Sequence, residues 1–229
     1  MSECLDFRRG LNLGGSVGLE KPQPSGWSYP LAPRLVLRTS PRPPGADRAL
    51  KVLLVRSGEA FPPGHPTTRL CLDLLLEALT TASVNSLLDV GCGSGVLGLS
   101  AAALGVPRVV GADISGRAAR VTLDNAGENA LGASVRVVQG STECLKAPFD
   151  LVVANLPWDV QTDKVAELDR LAAVEGRLIL SGFRDQQEGP LRESYLRLGW
   201  SLRRRLVRDF SHPEQPAHIS FNWVAWLLG

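Results

Sequence analysis

Apolar and polar positions follow two regimes along this chain of 229 residues. From Ser86 onward, short apolar runs alternate with longer amphipathic stretches. The runs at 86–90, 108–113, 134–138, 149–154 and 177–181 are apolar on consecutive positions, the pattern of strands covered on both faces. The stretches between predict helices over about 94–104, 115–130, 160–173 and 185–198, with closing strands near 201–208 and 217–227. This alternation predicts an α/β fold, a mostly parallel seven-stranded sheet with helices on both faces. Upstream, Pro66 suits the first turn of a helix, and Leu70, Leu74, Leu75 and Ala78 share one face, so a helix is expected from Pro66 to about Thr80. Earlier still the periodicity is sparse. Gly14-Gly15, Pro22, Pro24, Pro30, Pro33 and the run Pro41-Arg42-Pro43-Pro44-Gly45 predict an irregular arm, with short strands expected only at 34–38 and 51–55. The chain thus divides into an arm, 1–48, and an α/β domain, 49–229.

Composition narrows the setting. Hydrophobic residues make up 44% of the chain, which suits a soluble core. No apolar run reaches the roughly eighteen residues of a membrane helix, and Met1-Ser2-Glu3-Cys4-Leu5-Asp6 has neither the basic start nor the apolar stretch of a leader. A cytoplasmic protein with no membrane contact is expected. Cys4, Cys71, Cys92 and Cys144 are scattered without a C-x-x-C pair, so neither zinc nor a disulfide framework is expected. The net charge of +2 does not by itself imply a nucleic-acid partner. Arg203-Arg204-Arg205 with Arg208 reads as a solvated edge strand, and His212 and His218 as loop residues.

The candidate chemistry begins at Leu87-Leu88-Asp89-Val90-Gly91-Cys92-Gly93-Ser94-Gly95. A buried strand there ends in a tight glycine turn that opens a helix. Gly91 and Gly93 let the backbone approach a ligand, and Gly95 lets the helix sit close to the sheet. Asp113 ends the next apolar run, about 20 residues on, where an acid can hold a ribose diol. A dinucleotide turn leaves room for a pyrophosphate. This turn carries an acid, Asp89, in front of its first glycine instead.

With those residues the sequence resembles the class I S-adenosylmethionine (SAM) methyltransferases. SAM has no phosphate, and its ammonium group suits an acid beside the loop. Asn155-Leu156-Pro157-Trp158 follows the apolar strand 149–154. It resembles the N-x-P-aromatic motif of methyltransferases acting on planar nitrogens, in which carbonyls accept the hydrogens of a weakly nucleophilic nitrogen and the ring fixes the line of attack. Phe61-Pro62-Pro63-Gly64-His65-Pro66-Thr67-Thr68 resembles the loop that covers SAM in the PrmA-type ribosomal protein methyltransferases. That resemblance runs on through Asp89–Leu97 and through Leu178–Gly182, and so spans about 50–200. Three positions depart from it: a short arm replaces the family's N-terminal module, Leu156-Pro157 replaces Ile-Leu after the Asn, and Ser141 stands where an acid is common.

The resemblance implies SAM as cofactor, held by Thr67, Thr68, Asp89, Gly91, Cys92, Gly93, Gly95, Asp113, Ile114, Ser141, Thr142 and Asn155. It implies Asn155, Pro157 and Trp158 as the catalytic positions, with no metal. His65 reads as the residue that caps the helix after it, in preference to a general base. The expected activity is methyl transfer to a protein or peptide nitrogen. Transfer to a nucleic-acid base of the adenine type, transfer to a small molecule, and SAM binding without catalysis stay open as alternatives. The acceptor's identity and the oligomeric state are not legible.

Overall fold

The computed structural model describes residues 27–41, 49–58, 60–210 and 221–229. Much of the expected arm, together with Cys4, His212 and His218, lies outside the described residues. Among the described residues the first elements are β1 (Ser28–Ala32), β2 (Leu35–Arg38) and β3 (Lys51–Leu54), followed by α1 (Pro66–Thr81). The main body comprises β4 (Ser86–Val90), α2 (Val96–Ala103), β5 (Arg108–Asp113), α3 (Gly116–Glu128), β6 (Val135–Gln139) and β7 (Phe149–Asn155). It continues through α4 (Trp158–Asp163), α5 (Val165–Leu171), β8 (Ala172–Arg184), α6 (Glu188–Arg197), β9 (Leu202–Phe210) and β10 (Phe221–Leu228).

Seven strands form one sheet in the order β6-β5-β4-β7-β8-β10-β9. The pairs from β6 to β8 are parallel, and β10 runs antiparallel to both neighbours. Both faces of the sheet are buried. Leu87, Val109, Leu151, Val153 and Ile179 pack on the side of α1 and α2. Their neighbours in sequence, Leu88, Val152, Leu178 and Leu180, pack on the side of α5 and α6. Successive side chains on a strand point to opposite faces, which is why these strands read as unbroken apolar runs. Between β6 and β7 the described chain has a short 3₁₀ turn, Thr142–Cys144, in place of a helix.

Three differences from the sequence pattern have local causes. β1 was not expected; it pairs antiparallel with β2 despite Pro30, and its Leu31 is buried beside α1. The helix expected over 160–173 is two helices joined at Lys164, an arrangement that turns Leu168 and Leu171 into the core. β8 is 13 residues long, because its far end continues past β7 and pairs only with β10. The arginine cluster does fall on an edge strand, since among the described residues β9 pairs with β10 alone.

The small sheet is tied to the main body by side chains. Tyr29 donates its hydroxyl to Asp73 of α1. Two asparagines one turn apart, Asn125 on α3 and Asn129 at its C-cap, act as a substitute neighbouring strand for the end of β3. Asn129 accepts from Leu54 N at 2.8 Å and donates to Leu54 O at 2.6 Å. Asn125 does the same for Arg56, at 3.1 and 2.9 Å. Asn125 also donates to Ser94 O in the glycine turn at 2.9 Å. Asn125→Ala would strand three backbone groups at once. At about 1–3 kcal/mol per unpaired buried group, partly relieved by water, we expect a loss of about 3 kcal/mol in urea unfolding. A loss below about 1 kcal/mol would refute this role.

At the start of α1, His65 is the cap: Thr67 N donates to its Nδ1 at 3.3 Å. The imidazole is therefore neutral with its proton on Nε2. Burial pushes it down to about 4 from 6.5. Between those values the unfolded chain binds a proton that the folded one lacks, so this residue's contribution to stability is full above pH 6.5 and lost as pH falls toward 4. His65→Asn keeps a capping group and removes the titration. Its unfolding midpoint should fall less steeply than that of wild type across this window, and equal slopes would exclude the linkage.

Candidate active site

The strand order reverses at β4, with β5 on one side and β7 on the other. The carboxyl end of such a strand opens into a crevice where α/β sheets bind ligands. The glycine turn lies at this point. Gly91, Gly93 and Gly95 all have left-handed φ, +67°, +56° and +79°, a region that favours glycine. A Cβ on Gly91 would meet Leu156 Cδ2 at 2.4 Å, and one on Gly95 would meet Thr122 at 2.7 Å. Gly93 is different, because the space off its Cα is open out to 3.9 Å.

The two acids flanking the turn have distinct environments. Asp89 is buried and accepts from Gly98 N in α2 at 2.9 Å. Burial pushes its carboxyl up to about 7; the Gly98 N–H opposes this, and the charge of Asp113 adds to it. A cation beside the turn would favour the ionised form. Asp113 is half-buried at the end of β5. One oxygen accepts from Gly93 N at 3.0 Å and the other from Ser115 N at 2.9 Å. A carboxylate has about four acceptor positions, so two remain for a ligand's hydroxyls.

The other expected ligand residues divide by exposure. Ile114 is 78% exposed at the crevice, an apolar side chain with no cover from the protein. Ser141 and Thr142 follow β6 on the same edge, with Thr142 buried. Thr67 and Thr68 are buried in the first turn of α1, and the Thr67 hydroxyl lies 2.8 Å from His65 Nδ1. Cys92 turns inward: its thiol lies 3.4 Å from Thr122 Oγ1, and its N–H donates to Ala112 O at 3.1 Å. Its contacts are with the frame of the turn.

Asn155 ends β7, directly beside β4. Two strand spacings of about 4.8 Å separate it laterally from Asp113, so the two face the same crevice roughly 10 Å apart. Its side chain is half-exposed and makes no hydrogen bond among the described residues. Leu156 N donates to Ser181 O at 3.1 Å, and Leu156 covers Gly91. Pro157 is exposed and opens α4. The Trp158 ring is half-buried against the α5 and α6 side of the core, and its Nε1 donates to Gln187 O at 3.0 Å.

A line of rings runs from the glycine turn to the start of β10. Phe61, 51% exposed, lies next to Gly93. It is followed by His65 at 4.7 Å, Trp223 at 5.2 Å and Phe221 at 5.1 Å, and Arg184 stacks over Phe221 at 3.9 Å. Trp223 packs here edge-on against His65. Asn125 and Gln161 gave no signal in the sequence. Each is one polar position among several on its helix, and only the tertiary fold brings its partners within reach.

With this geometry in place, likeness to known proteins becomes informative. The profile of the family "Ribosomal protein L11 methyltransferase (PrmA)" matches residues 32–209. The "Ribosomal protein L11 methyltransferase" of Syntrophotalea carbinolica is 40% identical over 157 residues, covering 68% of this chain and 51% of that protein. Its counterpart in Geobacter metallireducens is 34% identical over 189 residues, covering 80% and 62%. The chain therefore spans about half to three-fifths of the length of these relatives. A ribosomal protein L11 methylase from Lactobacillus delbrueckii subsp. bulgaricus superposes with a TM-score of 0.71 over 88% of this chain and 97% of its own; at 21% identity that likeness concerns fold alone. The fold is that of the Rossmann-like methyltransferases, and the chain belongs to the PrmA family of ribosomal protein L11 methyltransferases.

Proposed function

We propose that this chain is a SAM-dependent N-methyltransferase acting on a protein nitrogen. One observation carries the reading: the glycine turn, Asp113 and the unbonded amide of Asn155 open onto one crevice from three adjacent strands. The residues fit SAM. Gly93 leaves space for a ligand, Asp113 has acceptor positions left for the ribose, and exposed Ile114 offers an apolar surface for the adenine. Asp89 lies buried under the turn, where the cationic amino-acid end would favour its ionised form. Of the other residues implied for SAM, Ser141 keeps partial exposure after β6, whereas Thr67, Thr68 and Thr142 are buried. SAM contributes a methyl group made electrophilic by the sulfonium.

The chain's own residues then position the acceptor. Asn155 Oδ1 accepts a hydrogen from the attacking nitrogen and turns its lone pair toward the methyl group. Pro157 fixes the backbone after Leu156. Trp158 keeps its indole N–H on Gln187 O, so its ring braces the wall of the crevice. A tethered, half-buried ring suits a chain nitrogen better than a stacked base, and this favours a protein acceptor over nucleic acid. His65 takes no proton from the acceptor, because its Nδ1 is occupied by the α1 cap and Nε2 already carries hydrogen. The proton displaced by methylation leaves to water. Ribosomal protein L11, the protein for which the relatives are named, is the first substrate to test.

Two variants separate cofactor from acceptor. Asp113→Ala removes two charge-assisted hydrogen bonds to the ribose, each worth about 1.5–3 kcal/mol, so calorimetry with S-adenosylhomocysteine should show affinity lowered roughly a hundredfold or more. Unchanged affinity would remove Asp113 from the site. Asn155→Ala should keep SAM affinity within about twofold while methyl transfer to L11 at saturating SAM falls roughly a hundredfold, the scale of one well-placed polar group in a transition state. Near-normal turnover in that variant would make Asn155 a structural residue.

A further inference from the structure

We propose that Gln161, on α4, is a positioning residue for Asn155; this rests on the role given to Asn155 above. Gln161 is fully buried. Its Nε2 donates to Ala154 O at 2.7 Å and to Ser181 O at 2.8 Å. Both partners are carbonyls, so the amide has only one workable orientation. Its Oε1 is left buried with no partner. An amide half-satisfied in this way is a poor choice for packing alone. It earns its place through what its two N–H groups hold.

Those two carbonyls fix Asn155 from both sides. Ala154 O belongs to the peptide plane before Asn155. Ser181 O also accepts from Leu156 N, which belongs to the plane after it. Peptide units are rigid, so two planes held in place determine the two torsions between them and the direction of the Asn155 Cα–Cβ bond. The bond is needed here because the ladders run out: β4 and β7 last pair at Val90–Ala154, and β7 and β8 at Asn155–Ser181. Two further contacts close the arrangement. Ser181 Oγ donates to Val224 O at 2.7 Å, where β10 has its irregularity. Gly182, with φ +99°, lets the Leu156 peptide lie so close that a Cβ would meet Leu156 O at 2.0 Å. The motif therefore sits on a built seat, and Gln161 is the side chain that joins its two halves.

The test uses the full chain with Gln161→Met, which keeps length and apolar bulk but donates nothing. With L11 as acceptor and methyl-labelled SAM, kcat should fall roughly a hundredfold, the scale of an ångström-sized misplacement, while KM for SAM stays within about twofold. Amide exchange at Leu156, followed by NMR at a temperature where the variant is fully folded, should accelerate at least tenfold, with exchange in β4 and β5 unchanged. Wild-type kcat in Gln161→Met, alongside an inactive Asn155→Ala, would overturn the proposal. If Asn155→Ala is itself active, or wild type leaves L11 unmethylated, the functional reading fails and exchange alone decides. Acceleration confined to the Asn155 segment then supports the positioning, and unchanged exchange at Leu156 overturns it.

Discussion

The turn from β4 into α2 brings a run of peptide groups into the interior of an α/β layer, and each needs a partner. No ladder can supply them, because left-handed glycines have taken the backbone off the strand path. The partners come from elsewhere in the fold. Gly91 N and Cys92 N share Ala112 O, Gly93 N uses Asp113, and Gly98 N uses Asp89. The carbonyls of Gly93 and Ser94 are taken by Thr122 and Asn125 of α3. The crevice has its shape because β5 and α3 hold that turn open, and the small N-terminal sheet is held by the same asparagine that holds the turn.

This division of labour explains the reach of the sequence. Burial on both faces makes β4, β5 and β7 continuous apolar runs, so the sheet could be read directly from hydropathy. The glycine turn and Asp113 stood out because their chemistry needs particular residues at fixed spacing. β1 did not stand out: five residues with Pro30 among them carry little periodicity, and their order comes from packing on α1. Lys164 separates two helices that share one apolar face, so the pattern shows a single long helix. Gln161 and Asn125 are the harder cases. A lone amide on a helix looks the same whether it faces water or three backbone groups, and only the fold distinguishes the two.

The aromatic line from Phe61 to Phe221 joins segments far apart in the chain, the loop before α1 and the start of the last strand. His65 lies at its centre and also caps α1. The same ring therefore fixes the entry to a helix and the spacing of the wall beside the crevice. Burial keeps it neutral, which a capping acceptor requires, and removes it from proton transfer.

The arginines of β9 have a consequence beyond charge. Arg204 reaches Glu77 on α1, while Arg205 forks onto Glu188 at the start of α6. The two helices lie on opposite faces of the sheet, and neighbouring side chains on a strand point to opposite faces. Neither exposed ion pair adds much stability. Together they clasp the edge strand to both helical layers, one guanidinium on each face of the sheet. Glu188 also receives the indole N–H of Trp226, so the clasp on that face reaches from the rim into the core. A strand with one free side is thereby held from above and below by two neighbouring residues.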